Sequence, residues 1–441
     1  MKIIKCSIAV VLTMMSVFQL AAQEKREETL PFQHHQIERY CTTLSEGVVA
    51  FVGYSSSNFG VIRTKHGYIL IDTGDDLNGV KDAISQIDTL APGVLQAIIL
   101  THSHPDHRGG ADAFLEKSNK KIPVWAHPDF GTEQNTMKGL EKIASVRFNR
   151  QFGNAIPDNL YTPNFMTPHF PNQQSGKLIR PDHFVKEGKT KLTIDGIDLE
   201  INTIPGESAD HLAVWLPTQK VLFCGDHVYG CFPNIYPVRG GAYRDVERRV
   251  KGVRRLLDFD AKAVMCGHNL VLKDEQVRTV LTDYADAMEY VYNKTTEGMN
   301  AGKSPKELAA EITLPARLKN KPYLAEFYGA VSWAVKSIYV ARLGWFDGNP
   351  SNLFPLTIPQ EAERMARLAG GTKLLMTAAR MALKDKDYQW AMQLADYLIA
   401  LNVEKEGRSI KASAMRGLSK TVLPISGKNY LMQSALETSN K

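Results

Sequence analysis

The 441-residue sequence predicts a layered α/β domain followed by an all-α helical domain. From residue 24 to about 275, short apolar runs closed by Gly, Pro or Asp alternate with helical stretches, which is typical of α/β layers. From 276 to 441 the strand pattern vanishes and apolar residues recur with the helical period. The length allows two or three domains, and the 44% hydrophobic and 23% charged residues are ordinary for globular proteins.

Residues 1–23 have the pattern of a secretory signal peptide. Lys2 and Lys5 precede an apolar run from about Cys6 to Leu20, and small residues at 21–22 stand before a charged segment. The run is too short for a membrane span, although an uncleaved anchor is an open alternative. We therefore expect a secreted or periplasmic protein without membrane contact after cleavage.

The predicted strands of the α/β domain are short apolar runs that end at Gly, Asp or Cys. They are Gly60–Thr64, Tyr68–Asp72, Val94–Leu100, Leu199–Thr203, Leu212–Leu216, Lys220–Cys224 and Lys262–Cys266. Helices are predicted at Ala111–Lys117 and Asp245–Leu257. The segment from about 128 to 185 has little periodicity, and we expect it to form a loop-rich insertion over the site.

The helical domain carries no constellation of catalytic residue types. Its predicted helices are Val277–Asn300, Ser304–Ile312, Leu324–Ala341, Ala362–Leu368, Thr372–Leu383, Tyr388–Leu401 and one around Ile410–Leu418. The turn-forming segment 343–352 separates two of these helices. We therefore expect the chemistry to lie in the first domain.

Residues 101–110 read THSHPDHRGG and predict a metal site. His102, His104, Asp106 and His107 place three imidazoles and a carboxylate within six positions, directly after an apolar strand. These groups are the ligands that Zn²⁺ and similar cations prefer. The spacing divides into His102 and His104 for one cation and Asp106 and His107 for a second. A solvated polar loop is the alternative, which the density of ligand types disfavours.

Later strand ends supply the remaining candidate ligands. Glu207, Asp226 and His268 each follow a predicted strand next to a glycine, where the backbone can turn and free the side chain. Asp226 could bridge two cations through its two oxygens. Each residue alone could instead cap a turn. His211 competes with Glu207 for the ligand position, but its place at the start of an apolar strand favours a supporting role. His227 is likewise interpreted as a neighbour rather than a ligand.

Cysteine use and net charge restrict the other function classes. Cys41, Cys224, Cys231 and Cys266 form no CxxC pair, so buried free thiols are predicted, with a Cys224–Cys266 bridge left open. The formal net charge is +6, but the Lys and Arg residues form no dense basic stripe, which disfavours a nucleic-acid partner. A modest positive balance mildly favours a small anionic substrate.

Together these motifs resemble the metallo-β-lactamase fold superfamily and, within it, the class III zinc-dependent alkyl sulfatases. The most specific pieces are THSHPDHRGG, PGESADHLAVWLP, FPNIYPVRG, GWFDGNPSNLFPL and the segment from Leu368 to Ala400. The resemblance implies an αββα sandwich over residues 24–275 with two zinc ions at its edge. It also implies that residues 276–441 form a dimerisation domain, and hence a homodimer.

The resemblance further implies roles for individual residues. One zinc ion is expected on His102, His104 and Glu207. The second is expected on Asp106, His107 and His268, with Asp226 as the bridge. Asn234 and Arg239 are expected to grip the sulfate group, for which an amide and a guanidinium are suitable donors.

Two departures from the family pattern stand out. Asp226 replaces the glutamate that the alkyl sulfatases carry at the bridging position, which affects the expected metal spacing. Larger family members continue into a sterol-carrier-like domain that is thought to bind the alkyl chain. We do not expect a counterpart of that domain here, which disfavours long surfactant substrates.

The expected reaction is hydrolysis of an alkyl sulfate ester to alcohol and sulfate by a hydroxide that two Zn²⁺ ions activate. Asp106 is the predicted catalytic residue, because it can both ligate and orient that water. Attack at carbon or at sulfur is left open. Rival hypotheses are a lactone, β-lactam or phosphoester hydrolase on the same scaffold, and a non-enzymatic metal-binding scaffold protein, which the full ligand set disfavours.

Overall fold

The computed structural model describes residues 38–439 except 117, 119, 163–165 and 167–173. The predicted signal peptide lies outside these residues. The described residues fall into two compact units, one made of those between 38 and 148 and between 166 and 354, the other of 149–162 and 355–439. Within the described ranges, no helix combines the length and the apolar character that crossing a bilayer requires.

Seven strands form the first sheet, in the same order in space as in sequence. They are β1 (Tyr40–Ser45), β2 (Val48–Val52), β3 (Phe59–Arg63), β4 (Gly67–Ile71), β5 (Val94–Ile99), β6 (Val124–Ala126) and β7 (His183–Phe184). Strands β1 to β4 pair antiparallel, whereas β4 to β7 pair parallel. The carboxyl ends of β4 and β5 therefore lie at one edge of the sheet, where the histidine-rich turn begins.

Six strands form the second sheet, in the order β13-β12-β11-β10-β9-β8. They are β8 (Lys189–Ile194), β9 (Ile197–Thr203), β10 (Leu212–Leu216), β11 (Val221–Gly225), β12 (Ala263–Cys266) and β13 (Val271–Lys273). Only β11 and β12 pair parallel among the described pairs. Asp226 and His268 therefore leave neighbouring strands in the same direction.

Eight helices precede residue 344 in the described chain. They are α1 (Leu77–Leu90), α2 (Ala111–Leu115), α3 (Glu141–Phe152), α4 (Val246–Leu256), α5 (Glu275–Asn300), α6 (Pro305–Glu311), α7 (Ala316–Lys319) and α8 (Val331–Leu343). The predicted helix Leu324–Ala341 begins later, at Val331, because residues 322–324 form a separate 3₁₀ turn.

Three apolar cores show that the larger unit is an αββα sandwich, as predicted. Ile69 and Ile99 of the first sheet pack against Val214 and Phe223 of the second. Helices α1 and α2 cover the outer face of the first sheet, and α4, α5 and α8 cover the outer face of the second. Burial of strand residues on both faces explains their near-continuous apolar runs.

The larger unit continues beyond the predicted domain boundary at residue 275. Tyr284 and Met288 of α5 and Ile338 of α8 are buried in the same core as Leu222 of β11. The sequence pattern changes where the strands stop, but the apolar faces of the next helices pack on the second sheet. The compact unit therefore ends at residue 354.

The smaller unit contains five helices after residue 355 in the described chain. They are α9 (Ile358–Leu368), α10 (Thr372–Lys384), α11 (Tyr388–Ala400), α12 (Glu404–Ser419) and α13 (Ile425–Ser439). Helix α13 was not predicted, because polar Ser426, Asn429 and Gln433 occupy buried positions and weaken its apolar period.

Candidate metal centre

The strand ends bring the predicted ligands into two groups. His102, His104 and Asp226 form one group, and Asp106, His107 and His268 form the other. In each group the three candidate ligand atoms lie within 4.8 Å of one another. The histidine-rich turn after β5 divides between the groups because Pro105 starts a 3₁₀ turn over residues 105–107. The spacing predicted that His102 and His104 would separate from Asp106 and His107, and the fold shows this division.

Asp226 lies between the two groups. Its Oδ1 is 3.3 Å from Nε2 of His107, and its Oδ2 is 3.2 Å from Nε2 of His268. The same Oδ2 is 3.9 Å from Nε2 of His102 in the other group. Asp106 stays within its own group, with Oδ2 at 3.3 Å from Nε2 of His268 and 3.5 Å from Nε2 of His107. Asp226 therefore has the position of a bridging ligand.

The donor atoms fit divalent cations because the fold buries several of them without a hydrogen-bond partner. Nε2 of His102, Nε2 of His107 and Oδ1 of Asp226 have no hydrogen-bond partner among the described residues. An unpaired buried polar atom is costly, and a bound cation would remove that cost. Neutral imidazole with carboxylate is the donor set that Zn²⁺ and related cations prefer.

Hydrogen bonds at Nδ1 orient two of the histidines so that Nε2 faces the cluster. Nδ1 of His107 lies 2.8 Å from Asp72, and Nδ1 of His268 lies 2.8 Å from the carbonyl oxygen of Ser56. Asp72 also accepts hydrogen bonds from the backbone N–H and hydroxyl of Thr101. Such partners fix the tautomer and orientation of metal-binding histidines. Asp72 was not singled out, although it ends a predicted strand beside a Thr-Gly turn as the other candidates do.

Glu207 lies beside the first group. Its Oε1 is 3.3 Å from Nδ1 of His104, whereas its Oε2 is 2.7 Å from Nη1 of Arg244 and 3.1 Å from the Tyr229 hydroxyl. Glu207 is not part of the compact three-residue group, which contains Asp226 instead. One oxygen is thus held by the protein and the other faces the histidine, so the assignment of Glu207 as a ligand stays a prediction.

Asn234 and Arg239, the two predicted sulfate-binding residues, lie on the segment that follows β11. The backbone of Asn234 is joined through side chains to Glu207, and Asn234 is almost fully buried. Burial, together with the charge of Arg244, lowers the pKa of Arg239, whose neighbours also include Glu207. Both residues are therefore close to the Glu207 side of the first group.

Two further histidines, His211 and His227, are buried beside the first ligand group. The ring of His211 stacks on that of His102 with a centroid distance of 4.0 Å, and burial lowers its pKa well below the usual range. Its Nδ1 accepts a hydrogen bond from the backbone of Ser208. Both ring nitrogens of His227 face backbone carbonyl oxygens, which leaves neither ring nitrogen for a cation. The four described cysteines are free thiols, as predicted, so Cys224 and Cys266 form no bridge.

Glu133 comes from the insertion and was missed by sequence analysis. Its Oε2 lies 3.8 Å from Nε2 of His104. Burial would raise the pKa of Glu133, but His104 and the guanidinium groups of Arg244 and Arg239 lower it to about 2. The insertion, which was expected to lie over the site, therefore adds an ionised carboxylate beside His104. Its weak periodicity gave no signal for this particular residue.

Two histidines of the cluster have a raised pKa. Burial alone would lower the pKa of His268, but the carboxylates of Asp226 and Asp106 raise it to about 10, and they also raise that of His107. A cation needs the neutral ring, so binding must displace these protons. We predict that cation affinity falls as the pH falls below 10, since protons then compete for the same nitrogens.

Calorimetric titration of the metal-free protein with Zn²⁺ at pH 7, in buffers of different ionisation enthalpy, measures this release. At least one proton per chain is expected to leave. A heat that is independent of the buffer would show that the rings are already neutral and would contradict the prediction.

Comparisons with known proteins agree with this geometry. Residues 52–268 match the family model of the metallo-beta-lactamase superfamily, and residues 304–441 match the model for alkyl sulfatase dimerisation. A linear primary-alkylsulfatase of Pseudomonas sp. is 30% identical over 392 residues, which cover 86% of this chain and 74% of that protein. An (R)-specific secondary-alkylsulfatase of Pseudomonas sp. is 27% identical over 401 residues, which cover 87% of this chain and 60% of that protein.

A solved structure extends the likeness to the fold. The stereoselective inverting sec-alkylsulfatase from Pseudomonas sp. superposes with a TM-score of 0.82 at 26% sequence identity. The match covers 91% of this chain and 66% of that protein, so the chain spans about two thirds of its length. With the two domain matches and the ligand geometry, these likenesses lead to one conclusion: the chain belongs to the alkyl sulfatase family of the metallo-β-lactamase superfamily.

Proposed function

We propose that this protein hydrolyses alkyl sulfate esters to the alcohol and inorganic sulfate. The observation that carries the proposal is the pair of ligand groups joined by Asp226. The charges of Glu133 and Glu207 also act on the guanidinium of Arg239. The likeness to two named alkylsulfatases over more than four fifths of the chain supports the sulfate ester as substrate.

We also propose that the cofactor is a pair of Zn²⁺ ions. His102, His104 and Glu207 would hold one ion, Asp106, His107 and His268 the other, and Asp226 would contact both. When bound, two divalent cations supply an activated water nucleophile and Lewis acidity toward an anionic ester. The buried ring nitrogens without a hydrogen-bond partner among the described residues support this assignment.

Asp106 is the carboxylate best placed to orient the attacking water. Its side chain is 28% exposed, whereas those of Asp226 and Glu207 are 5% and 6% exposed. A water molecule that donates a hydrogen bond to this carboxylate would be held at the open side of the cluster, where an ester can reach it. Asp106 would therefore both ligate and position, and Asp226 and Glu207 would act as ligands.

Arg239 and Asn234 would bind the sulfate group of the ester. A guanidinium offers paired donors to an oxyanion, and it stabilises charge that moves onto the leaving sulfate or onto the alkoxide. Arg239 is partly buried, and partial exclusion of solvent strengthens such contacts. Its positive charge would also be balanced by the anionic substrate, in addition to Glu133 and Glu207.

Dimerisation and export complete the proposal. The alkyl sulfatase dimerisation match over residues 304–441 supports a homodimer. Trp345 and Phe354, which are 70% and 87% exposed, are large apolar side chains of the kind that interfaces cover. The charged and apolar pattern of residues 1–23 supports export to a periplasm or the medium.

A substrate panel tests the activity. Purified protein loaded with zinc is assayed on primary and secondary alkyl sulfates of short and long chain, and on a lactone, a β-lactam and a phosphate ester. We expect turnover of at least one alkyl sulfate to exceed that of every other class. Preference for a lactone, β-lactam or phosphate ester would reject the sulfatase assignment but keep a hydrolase. Metal binding without any turnover would favour a non-enzymatic role.

A further inference from the structure

Two buried side chains connect the carboxylate of Glu207 to the peptide groups of Asn234. Nη1 of Arg244 lies 2.7 Å from Oε2 of Glu207 and donates to the carbonyl oxygen of Asn234 at 2.6 Å. The hydroxyl of Tyr229 donates to the same Oε2 at 3.1 Å and accepts from the N–H of Asn234 at 2.6 Å. Glu207, Arg244, Tyr229 and the backbone of Asn234 are here called the clamp.

The clamp is shielded from water, which makes its hydrogen bonds strong. Tyr229 is 1% exposed and Arg244 is 4% exposed. Hydrogen bonds to a charged carboxylate are about twice as strong as neutral ones, and low local polarity strengthens them further. Both donors use Oε2, so Oε1 keeps its direction toward His104.

A third buried residue joins the clamp to the bridging ligand. Nη2 of Arg249, from α4, donates to the carbonyl oxygen of Asp226 at 2.9 Å and lies 3.8 Å from Oε2 of Glu207. Its guanidinium also lies over the ring of Tyr229, 5.6 Å from the ring centroid. The backbone of Asp226, the carboxylate of Glu207 and the backbone of Asn234 are thereby held in one buried network.

We propose that Tyr229 and Arg244 are positioning residues that couple the metal ligand Glu207 to the anion-binding residue Asn234. Both the N–H and the carbonyl of Asn234 are tied, through different side chains, to one carboxylate oxygen. Rotation of either peptide group would break one of these bonds. A shift of the Glu207 carboxylate would strain both. The inference rests on the proposed sulfatase function for its substrate, but the clamp itself is a feature of this chain's own residues.

The coupling has a measurable consequence. Tyr229→Phe keeps the ring and its packing but removes the hydroxyl that joins Glu207 to the N–H of Asn234. The variant should keep its bound zinc, because Oε1 of Glu207 and the histidines are unchanged. Its affinity for inorganic sulfate should fall roughly 10-fold, the value of one hydrogen bond to a charged group. KM for an alkyl sulfate should rise by a similar factor, with kcat changed less than about threefold.

Two further variants separate positioning from general destabilisation. Tyr284→Phe is the matched control, because Tyr284 is equally buried and its ring packs near that of Tyr229, but its hydroxyl is not one of the groups of the clamp. It should bind sulfate as the wild type does. Arg244→Lys keeps the charge but can make fewer bonds, so it should also weaken sulfate binding while keeping zinc.

The experiment measures zinc per chain by elemental analysis, sulfate binding to the zinc-loaded protein by calorimetry, and KM with kcat. Weaker sulfate binding in Tyr229→Phe with zinc retained supports the clamp. Equal binding in Tyr229→Phe, Tyr284→Phe and wild type overturns it, as does a wild type that does not bind sulfate. A wild type that binds sulfate but hydrolyses no alkyl sulfate refutes the proposed function, while the binding comparison still tests the clamp.

Discussion

Asp226→Asn is expected to reduce alkyl sulfate turnover by at least roughly 100-fold, because even residues that only support metal ligands cost 10–100-fold when they are changed. The substitution keeps the volume of the side chain but removes the charge that lies 3.3 Å from His107 and 3.2 Å from His268. The amide offers one neutral oxygen where two cations would share a carboxylate. We expect zinc to fall from two ions to one or fewer per chain, measured by elemental analysis after dialysis.

Asp76→Asn provides the control for this change. Asp76 is also buried but belongs to neither ligand group. Both of its carboxylate oxygens accept backbone N–H groups at the first turn of α1, and asparagine keeps one of these oxygens as an acceptor. The control should retain its zinc and its turnover within about twofold. An Asp226→Asn protein with two zinc ions and normal turnover would show that no shared carboxylate is needed.

Arg239→Ala is expected to lower kcat/KM for alkyl sulfates by roughly 100-fold to 1000-fold, the usual cost of removing a donor that stabilises developing charge. The guanidinium would bind the sulfate group, and Arg239 belongs to neither of the two ligand groups. Zinc content should therefore stay unchanged. Arg239→Lys should recover part of the loss, since it restores the charge but not the paired donors.

Arg248→Ala is the matched control for this second variant. Arg248 is exposed and lines the cavity of about 240 Å³ beside Glu207 and Arg244, but it is not one of the proposed anion-binding residues. It should leave kcat/KM nearly unchanged. If both alanine variants keep normal activity, Arg239 has no part in binding the sulfate group.

The sequence predicted which candidate ligands the fold would bring together, because their signals are local. Each candidate follows an apolar run and stands next to a turn, so the strand end itself marks the residue. The parallel pairing of β11 with β12 then carries Asp226 and His268 to the same edge. His102, His104 and His107 needed no long-range information, since one turn holds them. The αββα layers followed from the strand runs and from the resemblance.

The rest of the site depends on packing between distant segments. No local sequence pattern distinguishes Tyr229, Arg244 or Arg249 as functional residues. They meet the site only because α4 packs against the second sheet. Glu133 comes from an insertion without periodicity. The end of the larger unit was missed for a related reason, because the helices over 275–343 resemble a separate domain in sequence but pack in the sandwich core.

Anomalous diffraction at the zinc edge, from crystals of the zinc-loaded protein, tests the central claim most directly. Two peaks per chain are expected. One should lie at His102, His104 and Glu207, the other at Asp106, His107 and His268, with Asp226 in reach of both. A single peak, or a zinc ion held by residues outside these groups, would contradict the account of the site and the chemistry that depends on it.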